Sequence, residues 1–188
     1  MRTFNYEKQG AKLLTPDIVG LLTQIHEFKG ELSQFVEAKA DTLTKLMEMA
    51  KIQSTEASNS IEGIHTSNER LKKIVRDKTT PRNRSEQEIS GYRDVLATIH
   101  DSHEYIPPKP SMILQLHRDL YKFSGHNTGG SYKKLDNVIA EEAADGSKHI
   151  RFQPALAWET PEAMEALCKA YQDAICMQNI DTLLLIPM

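Results

Sequence analysis

The sequence predicts an all-α fold, an array of helices with short connections that carries one β-hairpin. Two observations support this class. Apolar residues recur at helical spacing along most of the chain, and only residues 134–152 combine stretches that can be extended with a polar Asp-Gly turn. The chain has 188 residues, 39% of them hydrophobic and 26% charged, which is typical of a globular protein that buries a core.

The first two helices begin and end at recognisable signals. Thr15 is an N-cap and Pro16 suits the first helical position, and helical spacing of apolar residues continues to about Lys39. A second helix is predicted from about Ala40 to Glu62, with Gly63 placed to end it as a left-handed cap. Because Ser and Asn fill its last turns, its surroundings rather than helix propensity must hold that end.

The remaining elements follow the same reasoning. A short helix at 68–76 precedes a basic, polar loop at 77–84, and Ser85 with Glu88 forms a capping box for a helix that runs to about His103. Further helices are expected at 111–123 and from Thr160, and the hairpin strands at 134–140 and 149–152 with a turn at 141–147. The inward residues of the two longer helices are predicted to be Ile89, Tyr92, Val95, Leu96 and Ile99, then Met164, Leu167, Tyr171 and Ile175. We expect incomplete burial of the apolar run 183–188.

Charge and composition argue against several classes of function. The net charge of −3 provides no general basic surface for nucleic acid, and we expect the local cluster of basic residues at 72–84 to be solvated. No apolar run reaches the length of a signal peptide or a membrane span, and Cys168 and Cys176 are too far apart on one helix to pair, so we expect a cytoplasmic protein. His100 and His103 have the spacing of metal ligands but no third ligand converges on them, so no metal site is predicted and Cys168 is expected to be a buried thiol.

One motif is more specific than these patterns. The stretch Ser58-Asn59-Ser60-Ile61-Glu62-Gly63 resembles the inhibitory helix of Fic-domain proteins, whose pattern is Ser or Thr, three residues, Glu, then Gly or Asn. Downstream, the run 130–133 followed by Val138-Ile139 resembles the segment that leads into the β-hairpin flap of the family, with Lys133 where the family more often has Arg. Residues 152–154 and 160–167 resemble the exit from the flap, and 181–186 the start of the helix that delivers the catalytic loop.

The resemblance implies a Fic-like helical array, with a regulatory region at 1–84 and the first part of a Fic core at 85–188. The family signature, His-x-Phe-x-Asp/Glu-Gly-Asn-Gly-Arg-x-x-Arg, does not occur, so we expect a truncated part of an autoinhibited protein adenylyltransferase that transfers no AMP itself. By resemblance Ser58, Glu62 and Gly63 are inhibitory residues, and Glu62 pairs with the second arginine of the signature. The flap residues Asn137, Val138 and Ile139 would align a target segment, and no catalytic residue is carried over.

The resemblance also implies cofactors and partners. ATP and Mg²⁺ would serve the intact protein, and neither is expected to bind this chain. A protein substrate and a second copy of the chain are the expected partners. An alternative is a stand-alone, non-enzymatic helical module that supplies an inhibitory helix to a partner. A Gly-Asn-Gly-Arg motif shortly beyond Met188 would favour the first interpretation over the second.

Overall fold

A computed structural model describes residues 4–36, 40–125, 129–143 and 145–188, and it confirms a mostly helical fold with one small antiparallel sheet. Its helices are α1 (Tyr6–Leu13), α2 (Pro16–Val36), α3 (Ala40–Ile61), α4 (Asn68–Asp77), α5 (Arg84–Ser102), α6 (Pro110–Leu120), α7 (Thr160–Met177) and α8 (Thr182–Leu185). Its strands are β1 (Ile139–Glu142) and β2 (Lys148–Phe152). None of the described helices is long and apolar enough to cross a bilayer.

The chain divides into two compact units that interleave along the sequence. One unit combines Met1–Ala11, Pro108–Leu114 and Ser131–Met188, and the other combines Lys12–Pro107 with Gln115–Gly130. The hairpin therefore belongs to the first unit, and the motif at residues 58–63 belongs to the second. The boundary at residue 84 that we draw from the family resemblance stays a prediction.

In the second unit, helices α3, α4 and α5 enclose a small apolar core. Leu71, Ile74 and Ile89 are buried at its centre. The Ser- and Asn-rich end of α3 lies against these helices as expected, with Thr55 and Asn59 buried. At Gly91 the backbones of α5 and α6 come so close that an added Cβ would overlap the carbonyl oxygen of Leu120.

The start of α5 differs from the prediction. Asn83, not Ser85, is the N-cap, and its Oδ1 accepts a hydrogen bond of 2.9 Å from the backbone N–H of Glu86. The predicted capping box of Ser85 and Glu88 is therefore wrong. Asn and Ser rank equally as N-caps, so two candidates two residues apart could not be separated by their type alone. Glu88 instead pairs with Arg84 one turn earlier, at 2.9 Å.

The buried residues of the helices were predicted less well than the ends of the helices. The Thr15 cap of α2 is confirmed, since its Oγ1 accepts a hydrogen bond from the N–H of Ile18 at 3.4 Å. The structure describes α2 as far as Val36, and the predicted end of this helix at Lys39 lies outside the described residues. Ile99 and Ile175, predicted to point inward, are 36% and 37% exposed, because each lies near the end of a helix whose buried face covers the other turns. The other predicted inward residues of α5 and α7 are buried or half-buried.

The first unit is built around α7. Tyr6 of α1 meets Tyr171 edge to face, with ring centroids 5.8 Å apart, and Gly10 allows close approach of Ile180. We predicted no helix at 6–13. Cys168 is buried as expected, and its burial raises the pKa of the thiol, an effect that the nearby Glu165 increases. The apolar run near residue 185 is partly buried, since Leu184 and Leu185 are covered and Ile186 is exposed.

The hairpin is shorter and shifted relative to the prediction. Ala140 pairs with Ile150 and Glu141 with His149, and the register is irregular between Ile139 and Ala140. Residues 134–138, predicted as strand, precede β1 because side-chain hydrogen bonds hold them in a loop: Asp136 Oδ1 accepts from the N–H of Ala157 at 2.6 Å. Glu141 and Glu142, predicted in the turn, lie in β1 near basic residues of β2. Ala144 of the predicted turn lies outside the described residues.

Candidate functional site

The candidate site lies at the C-terminal end of α3, where the chain turns sharply. Gly63 has φ +73°, the left-handed region that glycine adopts without strain. The N–H of Ile64 donates to the carbonyl of Asn59 at 2.9 Å, and that of Gly63 to the carbonyl of Ser60 at 3.0 Å. This pair of bonds is the Schellman motif, and it confirms Gly63 as the cap that the sequence predicts.

Hydrogen bonds of two buried polar side chains in the preceding turns of α3 hold this turn in place. Asn59 donates from Nδ2 to the carbonyl of Thr55 at 2.7 Å, and Thr55 donates from Oγ1 to the carbonyl of Lys51 at the same distance. Since both side chains are hydrogen-bonded, burial leaves no unsatisfied group on them. The last two turns of α3 are thereby held in one place, and with them the direction in which Glu62 leaves the helix.

A cavity of about 520 Å³ opens beside this turn. Three short stretches of the second unit supply its walls: the end of α3, the first three turns of α5 and the end of α6. The volume falls in the range of about 300–1,000 Å³ that small-ligand or side-chain sites occupy. The lining residues are Ser58, Asn59, Glu62, Ile64, Arg84, Glu88, Tyr92, Leu120 and Tyr121.

Two of the predicted inhibitory residues line this cavity. Glu62 lies on the exposed rim, and Ser58, one turn earlier, is half-buried. The Tyr92 hydroxyl donates to Ser58 Oγ at 2.9 Å, which ties α3 to α5 beside the cavity. The third, Gly63, contributes its backbone conformation rather than a contact, since no atom lies within 4 Å of the position a Cβ would take.

The cavity has an excess of negative charge. Glu62 and Glu88 line it together with one guanidinium, that of Arg84. Arg84 donates from Nε to Glu88 at 2.9 Å, and this hydrogen bond raises the pKa of Arg84. Among the described residues, no cation lies within ion-pair distance of the Glu62 carboxylate. The arrangement therefore suits an incoming guanidinium or ammonium group.

The same residues do not fit a nucleotide triphosphate or its magnesium ion. Phosphate sites need free cations or clustered backbone N–H donors, whereas this cavity offers two carboxylates and one guanidinium that is already paired. In the part of the chain that the structure describes, no three histidine, cysteine, aspartate or glutamate side chains come together as metal ligands, and His100 and His103 belong to no such group.

The hairpin residues are placed differently from the prediction. Ile139 is the first residue of β1, whereas Asn137 and Val138 precede the strand, and Asn137 Oδ1 accepts a hydrogen bond of 2.5 Å from Lys133 Nζ. Both strands are exposed along their whole length, and within the described ranges the sheet has these two strands alone. Within the described ranges no strand pairs with the outer edge of β1, and an extended peptide can add at such an edge.

Sequence reasoning did not identify the partners that complete the cavity. We expected Tyr92 to be an inward residue of α5, and we interpreted Glu88 as half of a capping box. The Tyr92–Ser58 bond joins residues 34 positions apart, so no local pattern predicts it. The pair Arg84 and Glu88 did carry a signal, because opposite charges four residues apart on a helix face each other.

Comparison with protein-family models finds no match, and comparison with curated proteins finds none either.

Proposed function

We propose that this chain is the inhibitory and target-aligning part of a Fic-type protein adenylyltransferase, a class of enzyme that transfers AMP from ATP to a protein hydroxyl. Glu62 is the inhibitory carboxylate in this proposal. The observation that carries it is the placement of this motif glutamate: it lies on the rim of a cavity, at the end of a fixed helix, and no described cation pairs with it. A cytoplasmic location, a protein substrate, and ATP with Mg²⁺ in the intact enzyme belong to the same proposal.

The inhibitory role follows from charge. A carboxylate that is held rigidly can bind an arginine that would otherwise hold a phosphate, and it also repels the phosphate itself. Glu62 is suited to this because the Schellman turn and the buried Asn59 fix its backbone while its side chain stays accessible. Tyr92 of α5 supports the same turn, because its hydroxyl donates a hydrogen bond to Ser58 of α3. No step of AMP transfer is assigned to residues of this chain.

The target-aligning role is proposed for the hairpin. The open edge of β1 begins at Ile139, and Asn137 and Val138 lead into it. Main-chain hydrogen bonds to such an edge hold an extended segment with little dependence on its side chains. Val138 and Ile139 are 50% and 53% exposed, so apolar contacts are available next to that edge.

The test measures incorporation of label from ATP labelled at its α-phosphate, in the gene product that contains residues 1–188. Glu62→Gln removes the charge and keeps the shape, so we expect self-modification to rise by about tenfold, the equilibrium value of one charge-assisted hydrogen bond. Glu56→Gln is the matched control, because Glu56 is an exposed glutamate of the same helix that does not line this cavity. The isolated chain 1–188 is expected to transfer no label.

Each result separates the competing interpretations. Equal labelling of Glu62→Gln and the unmodified protein refutes the inhibitory role of Glu62. Transfer of label by chain 1–188 alone refutes the assignment of catalysis to residues outside it. If the gene product transfers no label in either form, the enzyme assignment fails. The alternative then remains, a non-enzymatic helical module whose Glu62 pairs with a cation of a partner protein.

A further inference from the structure

A second cavity, of about 330 Å³, lies between α3 and α4 in the second unit, and we call it the α3–α4 cavity. Its deepest lining residue is apolar, since Leu71 is buried and belongs to the core of this unit. Ile52, which packs against that core, and Met49, which is 52% exposed, line it from α3. The volume falls within the range of small-ligand sites, about 300–1,000 Å³. This cavity shares no lining residue with the one beside Glu62.

Two exposed cations of α4 line the same cavity. Lys72 and Arg76 are one turn apart, so their side chains lie on one face of the helix and a single anionic group can contact both. Neither cation takes part in an ion pair that the described residues form. Glu56 of α3 also lines the cavity, and no ion pair joins it to either cation. The lining therefore carries one net positive charge, with its cations on α4 and its carboxylate on α3.

We propose that the α3–α4 cavity binds a small monocarboxylate with an apolar chain of about eight carbons. The carboxylate lies at Lys72 and Arg76, and the chain lies against Met49, Ile52 and Leu71. Arg76 suits this group because a guanidinium can donate two parallel hydrogen bonds to one carboxylate. A monoanion also balances the charge of the lining, whereas a phosphate monoester carries about −1.5 to −2 at pH 7 and would leave an excess of negative charge beside Glu56.

The length of the cavity favours a small molecule over a partner helix. Its lining residues lie within 49–56 of α3 and 68–76 of α4, which is about 10–12 Å along either helix. An extended chain advances about 1.3 Å per carbon–carbon bond, so eight carbons cover about 9 Å. A partner helix of average length measures about 15–20 Å and would extend past both ends of the cavity.

The first test is a calorimetric titration of the chain with sodium octanoate at pH 7. We expect one octanoate per chain with a Kd of about 1 mM, a typical affinity for a ligand of about ten non-hydrogen atoms. Butanoate, which lacks four methylene groups, should bind at least about tenfold more weakly. Octylammonium has the same chain and the opposite charge, and it should also bind at least about tenfold more weakly than octanoate. Equal binding of octylammonium, or no saturable binding of octanoate up to about 10 mM, overturns the proposal.

Substitutions of the charged lining residues test where the carboxylate lies. Lys72→Gln and Arg76→Gln should each weaken octanoate binding by about fivefold, the equivalent of one exposed ion pair, and Glu56→Gln should strengthen it. Lys73→Gln is the matched control, because Lys73 is an exposed lysine of the same helix that does not line the cavity. It changes the net charge equally and should leave the affinity unchanged. Equal losses in Lys73→Gln and Lys72→Gln refute the placement of the carboxylate.

Methionine methyl resonances test where the apolar chain lies. In protein labelled with ¹³C at the methionine methyl groups, octanoate should shift the resonance of Met49. Met47 is the matched control, since it is 53% exposed on the same helix and does not line the cavity. Equal shifts of the two methyl groups, or a shift of Met47 alone, overturn the assignment of the chain to this cavity.

Discussion

The buried ion pair between Arg70 and Glu86 should govern the acid stability of the second unit. Glu86 is almost fully buried, and both of its carboxylate oxygens accept hydrogen bonds. Arg70 donates from Nε at 2.9 Å and from Nη2 at 2.7 Å, and the backbone N–H of Arg82 donates at 2.8 Å. The hydrogen bonds from Arg70, above all, lower the pKa of Glu86 from 4.5 to about 2 against the opposing effect of burial.

This pKa sets the size and the sign of the effect. A tenfold change in proton affinity is worth about 1.4 kcal/mol, so the ionised form of Glu86 adds about 3 kcal/mol to the free energy of unfolding. Because the folded pKa is lowered, this contribution is complete above the unfolded pKa of about 4.5. It is lost as the pH falls from about 5 to about 2, where the folded protein also takes up the proton.

Urea denaturation at a series of pH values measures this contribution. The comparison is between the unmodified chain and Glu86→Gln, which removes the charge and one acceptor. At pH 7 we expect Glu86→Gln to be less stable by about 3 kcal/mol. The difference between the two proteins should shrink steadily between pH 5 and pH 2, because protonation removes from the unmodified chain what the substitution removes from the variant.

Glu88→Gln is the matched control, since Glu88 lies on the same helix and also pairs with an arginine. Its partner Arg84 is 88% exposed, and an ion pair at the surface contributes at most about 1 kcal/mol. A difference between Glu86→Gln and the unmodified chain that is below 1 kcal/mol at pH 7, or that stays constant from pH 6 to pH 2.5, would refute the reasoning.

Two further predictions concern glycines near the cavity, and both are read from urea denaturation. Gly91→Ala places a Cβ against the Leu120 carbonyl and should lower the free energy of unfolding by about 3 kcal/mol. Gly20→Ala is the control: no neighbouring atom lies within 4 Å of the added Cβ, so this variant should raise the free energy of unfolding by about 0.5–1 kcal/mol. Equal effects of the two substitutions would contradict the close approach of α5 and α6. Gly63→Ala should cost about 1–2 kcal/mol because of its positive φ, and Gly63→Asn should cost less; if alanine is tolerated as well as asparagine, the left-handed cap is wrong.

The sequence predicted the helix ends that are set by residues within one turn of them. Thr15, Pro16 and Gly63 act within one turn of the helix that they bound, and the observed ends agree with them. The missed helix α1 depends on distant partners instead, because Tyr6 packs against Tyr171 and Gly10 against Ile180. The start of β1 was misplaced for the same kind of reason: the contact of Asp136 with Ala157 spans 21 residues.

The candidate site was likewise predicted only in part, from its local motif. Ser58 and Glu62 were found from a motif whose members lie one turn apart on one helix. The cavity beside these two residues forms where α5 and α6 pack against the end of α3. Tyr92 of α5 and Leu120 of α6 line it. The approach that brings α6 there depends on Gly91, a residue to which the sequence analysis gave no role.

The way in which α3 ends also limits how the proposed inhibition can be relieved. Its last two turns contain Thr55, Ser58, Asn59 and Ser60, which are poor helix formers. Thr55 and Asn59 are nevertheless buried and hydrogen-bonded, and the Asn59 carbonyl accepts from the backbone N–H groups of Glu62 and Ile64. Moving this turn would expose those polar bonds and break the contact between Ser58 and Tyr92. The Glu62 side chain itself is exposed and has no described ion-pair partner. Competition for that carboxylate therefore costs less than displacement of the helix, so relief of inhibition should occur at the carboxylate–cation pair while α3 stays in place.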